Sequence, residues 1–371
     1  MTGEGAPTIA SVRWRPFTLP LHSQFEAASG ALDDRECVVV EIRDESGQTG
    51  IGEASPFPGF EAGTRDDVLH LLDQFGGAMV GLSGLAVLDV LPADGDGVAA
   101  LRCAIDTALL DLEGKRAGVA VAALLDESPA QSVLVNAVLG QGEPEDVARY
   151  AREATEAGYS VLKLKVGVGS LEHDFALVSA VREACPDAVV RLDANAAWDE
   201  ETAAGALDQF TNLRVELLEQ PVAADEVEAL ARLRDRSPFR LAADESLTRG
   251  ETAEQVLALH AADVMVLKPM LLGGIRPALA LARRAAQAGI GSFVTTTFDS
   301  SIGTAAALQL AAALPWDAAQ GLGTGDHLAS DVVTEPLRPE GGHLRVRGPG
   351  LGIELDEPAL DALASDDWHE A

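Results

Sequence analysis

Residues 161–165 read Val161-Leu162-Lys163-Leu164-Lys165, and apolar and charged side chains alternate along them with a period of two. Because successive side chains of a β-strand point to opposite faces, both lysines face one side and both leucines the other. Only four of the 27 lysines and arginines in this 371-residue chain are lysines. Lysine, unlike arginine, can give up its proton when its site lowers its pKa. The stretch therefore predicts a strand that presents two reactive ammonium groups.

Four more ionisable residues follow this strand at nearly constant spacing. Asp193 comes 28 residues after Lys165, Glu219 comes 26 residues later, Asp244 comes 25 later and Lys268 comes 24 later. Each of them ends an apolar, strand-like run. One functional side chain per strand–helix unit, at the carboxyl end of the strand, is typical of a (β/α)8 barrel.

The apolar runs predict an α/β fold with eight parallel strands, the number found in a (β/α)8 or modified TIM barrel. We therefore assign residues 131–325 to a catalytic barrel, 1–130 to an α+β capping domain and 326–371 to a tail that returns to that domain. The predicted barrel strands are 133–139, 160–166, 188–195, 214–219, 239–244, 263–268, 292–297 and 319–323.

The capping domain is predicted from a change of rhythm before residue 131. Residues 8–21 and 36–53 have the pattern of an antiparallel meander, and helical periodicity follows at 64–75 and 97–115.

The composition excludes several classes of partner. A formal net charge of −32 argues against nucleic acid and anionic membrane surfaces. Two origins of this acidity stay open, adaptation to high salt and compositional drift of the proteome.

The chain has no uninterrupted apolar run of about 18 residues and no signal-peptide core at its start, so no membrane span or export is expected. Three widely spaced cysteines favour reduced, buried thiols. We expect a cytoplasmic protein, compatible with a homo-oligomer.

Asp193, Glu219 and Asp244 place three carboxylates at the ends of consecutive predicted strands. All-oxygen ligation without nearby Cys or His favours a hard divalent ion, Mg2+, with Mn2+ as a substitute. Any one of these acids could instead be a helix N-cap, and Asp244, before Glu245-Ser246, suits that role. Three acids on consecutive strands favour the metal site. Strand alternation is expected to turn Glu245 away from the barrel axis.

Lys165 and Lys268 would lie across the barrel from each other. Lys165 is on the second predicted strand and Lys268 on the sixth, with the three acids between them. A carboxylate substrate held by the ion would have one ammonium on each face of its α-carbon. Repulsion between Lys163 and Lys165 would lower the pKa of both, which suits Lys165 as a general base. The alternative, a solvated surface strand, is disfavoured because buried lysine is rare without a partner or a role.

The chain resembles the enolase superfamily, which uses a Lys or His base and Mg2+ to stabilise an enediolate. The resemblance covers nearly the whole chain, and a lysine on the sixth strand is typical of the muconate-lactonising subgroup. The motifs that carry it are Lys163-x-Lys165, Asp193-x-Asn195, Glu219-Gln220-Pro221, Asp244-Glu245-Ser246, Leu267-Lys268-Pro269, Gly52-Glu53-Ala54-Ser55-Pro56 and Pro349-Gly350-Leu351-Gly352. It implies catalysis by Lys165 and Lys268. It also implies substrate contacts at Lys163, Asn195, Thr296, Ser301, Gly323 and Thr324.

Within the superfamily, the loops at 298–303 and 321–325 are similar to those of o-succinylbenzoate synthases, dehydratases of menaquinone biosynthesis. This resemblance implies syn-dehydration of 2-succinyl-6-hydroxy-2,4-cyclohexadiene-1-carboxylate, a small carboxylate substrate, to 2-succinylbenzoate. N-succinylamino acid racemases share the scaffold and are the alternative. Dipeptide epimerases are a further alternative, although they carry an Asp-x-Asp pair where this chain has Gly323-Thr324-Gly325.

Two questions about the site stay open in the sequence. Phe57 and Phe60 either close over the substrate or pack between the domains. A non-catalytic binding protein on the same scaffold is disfavoured, because both lysines and all three acids are present.

Overall fold

Three sheets and their surrounding helices make up the structure, a computed structural model that describes residues 7–27, 30–57, 60, 62–315 and 318–371. The strands are β1 (Ile9–Ala27), β2 (Gly30–Asp44), β3 (Thr49–Ala54), β4 (Ser132–Leu134), β5 (Ala137–Leu139), β6 (Val161–Lys165), β7 (Val189–Asp193), β8 (Val215–Glu219), β9 (Arg240–Ala243), β10 (Val264–Leu267), β11 (Gly291–Val294), β12 (His343–Arg345) and β13 (His369–Glu370). The α-helices are α1 (Arg65–Met79), α2 (Ala86–Asp89), α3 (Val98–Ala117), α4 (Val121–Leu125), α5 (Pro144–Glu156), α6 (Leu171–Ala184), α7 (Glu200–Phe210), α8 (Val227–Arg236), α9 (Gly250–Leu259), α10 (Pro269–Leu272), α11 (Ile275–Gln287), α12 (Ser301–Ala312) and α13 (Glu357–Leu363).

The strands β5 to β11 form a seven-stranded parallel sheet in which each strand pairs with its neighbours in sequence. Helices connect the strands from β5 to β11, as in a βα repeat, because parallel neighbours need a crossover connection. The second to seventh predicted strands all correspond to strands of this sheet and differ from them only at their ends.

The first and eighth predicted strands differ from the prediction. The segment 133–139 splits, because β4 pairs antiparallel with β12 and only β5 joins the parallel sheet. Residues 319–323 form no regular strand, although Gln320 and Gly321 make isolated parallel bridges to Val135 and Thr295. Glycine is a weak strand former, and the Gln320 side chain accepts the hydrogen bond of the Val294 amide at 2.6 Å. Seven strands and a bridging segment thus stand where eight strands were predicted.

The two faces of the parallel sheet pack differently. Leu162 and Leu164 are fully buried in the core between the sheet and its helices, whereas Lys163 and Lys165 on the other face stay partly exposed. The alternation predicted from the sequence is therefore confirmed. The lysine-bearing side of the sheet holds a small separate apolar cluster, Leu217, Ala242, Val264, Val266 and Phe293.

A four-stranded sheet in the order β13-β1-β2-β3 forms the capping layer. β1 and β2 make a long antiparallel hairpin, and β13 from the end of the chain pairs with β1. The helices predicted at 64–75 and 97–115 are present as α1 and α3. The limits of the predicted domains stay predictions.

Helix α3 packs so closely against β3 that the two backbones are in contact. A Cβ added to Gly52 would lie 2.0 Å from the carbonyl oxygen of Ala104, and one added to Gly50 would lie 2.1 Å from that of Ala108. No side chain fits at that distance, so glycine is required at both strand positions by the closeness of the helix.

Two buried aspartates of α3 connect the capping layer to the rest of the chain. Asp111 accepts hydrogen bonds from the backbone N–H groups of Ile51 at 2.9 Å and Leu351 at 2.8 Å, and from the Lys115 ammonium at 2.7 Å. Asp106 accepts from the Arg276 guanidinium at 2.7 Å, on helix α11. Lys115, the fourth lysine of the chain, therefore has a structural partner in Asp111.

Within the described ranges, no helix has both the length and the apolar character needed to cross a membrane.

Replacing Gly52 by alanine should destabilise the protein by about 1–3 kcal/mol, because the added methyl group overlaps the Ala104 carbonyl. Urea unfolding would measure this as a lower midpoint at an unchanged slope. Gly77→Ala is the matched control, since Gly77 lies in α1 with no atom within 4 Å of an added Cβ. That variant should be stabilised by about 0.5–1 kcal/mol through the higher helix propensity of alanine. Equal midpoints for both variants would contradict the close packing of α3 on β3.

Candidate active site

The carboxyl edge of the parallel sheet brings the predicted acids and lysines together. Lys165 pairs in register with Asp193, and Asp193 pairs with Glu219, so these side chains stand at one level on adjacent strands. Asp244 follows directly after β9, and Lys268 follows directly after β10. A compact group of charges at one edge of the sheet results.

Lys163 and Lys268 are in contact with the acids. The Lys163 ammonium lies 2.8 Å from Asp193 Oδ2 and 2.7 Å from Glu219 Oε1, and that of Lys268 lies 2.5 Å from Asp244 Oδ2. Glu219 and Asp244 are almost completely buried. Desolvation of such ions costs several kcal/mol each, so a partner of opposite charge is needed at short distance.

The pKa of Lys163 differs from the expectation. Burial by itself would lower it, but the negative charges of Asp193, Glu219 and Asp244 together raise it well above its ordinary value. The prediction that lysine repulsion lowers the pKa of Lys163 is therefore wrong, because its carboxylate neighbours outweigh a like charge two residues away. Burial and the nearby Asp193 charge raise the pKa of Glu219.

The side chain of Gln220 fixes the backbone that carries Asp244. Its amide oxygen accepts from the N–H groups of Asp244 at 2.9 Å and Ser246 at 3.2 Å, and its nitrogen donates to Ser246 Oγ at 2.9 Å. The Glu-Gln-Pro and Asp-Glu-Ser motifs are thus joined by hydrogen bonds. The Glu-Gln-Pro motif by itself predicts no role for Gln220, because its partners lie 24 and 26 residues away in the sequence.

Glu245 differs from the alternation expected of it. Strand β9 ends at Ala243, and a short 3-10 helix, Glu245–Leu247, follows, so a period of two does not apply there. Glu245 is a partner of Asn195, whose side-chain nitrogen donates to Glu245 Oε1 at 3.3 Å. Burial and the neighbouring Asp244 charge raise the pKa of Glu245 to about 8. It belongs to the charged group.

The three acids offer an oxygen donor set for a divalent cation. Glu219 Oε2 and Asp244 Oδ1 are buried and make no hydrogen bond to the described residues. Buried carboxylate oxygens without a partner are costly unless a cation approaches them. Among the described residues, no three His, Cys, Asp or Glu side chains are already arranged so that they could hold a metal ion. Lys163 instead stands between Asp193 and Glu219. The donor chemistry fits Mg2+ or Mn2+, and the side chains would rearrange around the ion.

Two family profiles match the chain. That of the enolase C-terminal domain-like family matches residues 146–359, and that of the mandelate racemase / muconate lactonizing enzyme N-terminal domain matches residues 9–126. The chain belongs to the enolase superfamily. The first match contains every lysine and acid of the charged group, and the second falls on the capping layer.

Three superfamily enzymes are similar to the chain. The hydrophobic dipeptide epimerase of Enterococcus faecalis is 33% identical over 310 residues, 82% of this chain and 87% of that protein. The o-succinylbenzoate synthase of Thermobifida fusca is 41% identical over 241 residues, 62% of this chain and 74% of that protein. The crystal structure of N-succinyl Arg/Lys racemase from Bacillus cereus superposes with a TM-score of 0.91 at 28% identity, and it covers 98% of this chain and 100% of that one.

The superfamily loop residues predicted to contact substrate lie in two places. Thr296 and Thr324 are both buried, and their hydroxyl oxygens lie 2.6 Å apart, with Gly323 next to them. The Ser301 hydroxyl donates to Asp331 at 2.6 Å and accepts from the Leu337 N–H at 2.8 Å. Ser301 is therefore tied to the tail, while the two threonines form a hydroxyl pair. Substrate contact by any of them stays a prediction.

An aromatic chain runs from the capping layer to Lys268. Phe57 stacks on Phe298 with ring centroids 6.1 Å apart and meets Phe60 edge to face at 5.5 Å. The Arg35 guanidinium covers Phe57, and the Lys268 ammonium lies 4.4 Å from the centre of the Phe60 ring. Phe57 thus packs between the layers, whereas Phe60 reaches the charged group. Pro58 and Gly59 of this loop lie outside the described residues.

A second buried acidic group joins the capping layer to the sheet. Glu53 accepts hydrogen bonds from the hydroxyls of Ser55 and Ser300, and from the Gly303 N–H at 3.2 Å. Burial, together with the Glu53 charge, raises the pKa of Asp299 to about 7. Glu53 lies in one of the quoted motifs and Asp299 in the loop 298–303, but the sequence predicts no role for either acid. One signal in the sequence could have identified Glu53 and Asp299. Both are acids in apolar surroundings, and acids are rarely buried without a partner.

Proposed function

We propose that this chain is an o-succinylbenzoate synthase of the muconate-lactonising subgroup, a Mg2+-dependent dehydratase. It would convert 2-succinyl-6-hydroxy-2,4-cyclohexadiene-1-carboxylate to 2-succinylbenzoate. The observation that carries the proposal is the row Asp193, Glu219 and Asp244, with Lys165 on the strand before it and Lys268 after it. Removing a proton next to a carboxylate needs a base at the α-carbon and positive charge at the carboxylate oxygens. In this proposal, the segment 319–323 closes the sheet into a (β/α)8 barrel.

Asp193, Glu219 and Asp244 would hold the Mg2+ ion, for which Mn2+ could substitute. When bound, the ion supplies positive charge that polarises the substrate carboxylate. The all-oxygen donor set and the unpaired oxygens of Glu219 and Asp244 support this assignment. The crystal structure of the Enterococcus faecalis dipeptide epimerase, itself a complex with Mg and a dipeptide, supports it by likeness.

Lys165 would act twice on one face of the substrate. Its neutral amine takes the proton from the α-carbon, and the ammonium so formed returns that proton to the departing hydroxyl group, which leaves as water. The elimination is therefore syn and consumes no net proton. Lys268 would stay protonated on the opposite face and stabilise the negative charge that develops on the carboxylate. Its contacts with Asp244 and with the Phe60 ring favour the charged ammonium.

Two observations support the synthase over the alternatives. Over the 241 residues that align, the Thermobifida fusca synthase is 41% identical to this chain, against 33% over 310 residues for the epimerase and 28% for the racemase structure. The loop Gly323-Thr324-Gly325 also lacks the acidic pair that would hold the amino group of a dipeptide. N-succinylamino acid racemase activity is the second candidate, favoured by a likeness to the Bacillus cereus racemase that extends over nearly the whole chain.

Assays on separate substrates test the proposal. With Mg2+ present, the purified protein should convert the cyclohexadiene carboxylate to the aromatic product, and a chelator should stop the reaction. N-succinyl amino acids, tested for loss of optical rotation, and dipeptides, tested for conversion to a second diastereomer, distinguish the other candidates. Turnover of these substrates alone would assign the protein to a racemase or epimerase. If no aromatic product formed and no α-proton of any substrate exchanged with solvent deuterium, a binding protein would remain.

Removal of any one proposed ligand should strongly weaken Mg2+ binding. Asp193→Asn, Glu219→Gln and Asp244→Asn should each weaken binding by about a hundredfold or more in calorimetric titrations, because each removes an anionic donor. Asp146→Asn, an exposed acid on α5, is the matched control and should bind as the wild type does. If Glu245→Gln lost the ion and Asp244→Asn kept it, Glu245 would be the third ligand.

Arginine substitutions separate the roles of the two lysines. Arginine keeps the positive charge but does not act as a base at neutral pH. Lys268→Arg should therefore retain measurable dehydration, whereas Lys165→Arg should retain none. For racemisation, which needs a proton-exchanging group on each face, both variants should be inactive.

Calorimetry on the same variants provides the control, because Mg2+ and the aromatic product should still bind to both. Equal loss of dehydration in Lys165→Arg and Lys268→Arg, with binding intact, would contradict a mechanism in which one lysine performs both proton transfers.

A further inference from the structure

A cleft of about 420 Å3 lies beside the β4–β12 pair, and its lining is net positive whereas the chain as a whole is net negative. Arg338, Arg345 and Arg347 line it, and Glu340 is the one carboxylate in its lining. The chain as a whole has 27 lysines and arginines against 59 acids. Three guanidinium groups around one cleft are therefore a local concentration of a scarce charge.

Strand alternation creates the basic side of this cleft. In β12, Leu344 is buried opposite Val133, while Arg345 lies opposite Ser132 with its side chain exposed. Arg347 continues the exposed side two residues later. Because side chains alternate along an extended chain, the arginines project away from the core on the same side.

Two of the three guanidinium groups, those of Arg345 and Arg347, are only weakly engaged within the protein. Arg345 makes no ion pair or hydrogen bond through its side chain among the residues that the structure describes. Arg347 meets the exposed Glu335 at 3.1 Å, whereas Arg338 reaches the buried Asp331 at 3.5 Å and also Asp326 at 3.6 Å. An exposed ion pair such as Arg347–Glu335 contributes little to stability, so an anion with several oxygens can compete for Arg345 and Arg347.

We propose that this cleft binds a small polyanion of the phosphate type. The fork of a guanidinium group matches two phosphate oxygens, and arginine is enriched where such anions are recognised. Gln131 and Ser132, which also line the cleft, add neutral hydrogen-bond donors. Ser132 begins β4, on the amino-terminal side of the first strand of the sheet, whereas the charged group with Asp193 lies at the carboxyl ends. The ligand would therefore bind apart from the substrate.

Inorganic pyrophosphate is the probe for this site. In calorimetric titrations at constant ionic strength and without divalent ions, the wild-type protein should show saturable binding. R345Q should weaken it by roughly tenfold or more, and R345Q/R347Q should weaken it further, because charge-assisted hydrogen bonds are lost. R345K keeps the charge without the planar fork and should fall between R345Q and the wild type.

R284Q is the matched control, since Arg284 forms an exposed pair with Glu254 on the surface of α11. R284Q removes one positive charge, as R345Q does, and should bind pyrophosphate as tightly as the wild type. Absence of saturable binding to the wild type, or equal affinity in R284Q and R345Q, would overturn the proposal. Sedimentation in which R345Q alone changes the oligomeric state would also overturn it and assign the cleft to contacts between copies. Binding is measured directly, so the result is independent of the reaction at the carboxyl edge.

Discussion

Charge balance at the carboxyl edge of the parallel sheet is the constraint on which the site depends. Asp193, Glu219 and Asp244 are removed from water, and such carboxylates persist only where cations stand beside them. The sheet meets this need through register, because Lys163 on β6 reaches the acids of β7 and β8, and Lys268 after β10 reaches Asp244. Loss of one partner would leave a buried, uncompensated charge, which costs about 3–5 kcal/mol.

The backbone around this edge is held in unusual conformations. Asn195, Ala196 and Gln220 have positive φ angles although none is glycine. Such conformations cost about 1–3 kcal/mol each and persist only where surrounding contacts fix them. Gln220 directly follows Glu219 at the end of β8, and Asn195 and Ala196 come two and three residues after Asp193, which ends β7. The hydrogen bonds of Gln220 to Asp244 and Ser246 are contacts of this kind, so the strained segment and the acid it positions are coupled.

The capping layer contributes to the same edge through a different type of contact. Glu53 binds the loop that begins α12, and Phe57 and Phe60 extend from the layer to Lys268. Within the same layer, β3 approaches helix α3 so closely that Gly50 and Gly52 cannot carry side chains. The capping layer thus covers Lys268 through Phe60, whereas Lys163 and Lys165 stay partly exposed.

The sequence by itself determined the strand order, the alternation of Lys163 and Lys165 with two leucines, and the spacing of Asp193, Glu219 and Asp244. These features are local, because a period of two and a repeat of 24 to 28 residues are visible along the chain. The tertiary structure alone decided which groups touch. It paired Lys163 with two acids and so raised its pKa, made Glu245 a partner of Asn195, and replaced the eighth strand by bridges through Gln320 and Gly321. Each of these outcomes depends on contacts between residues distant in sequence, whose energies no local pattern contains.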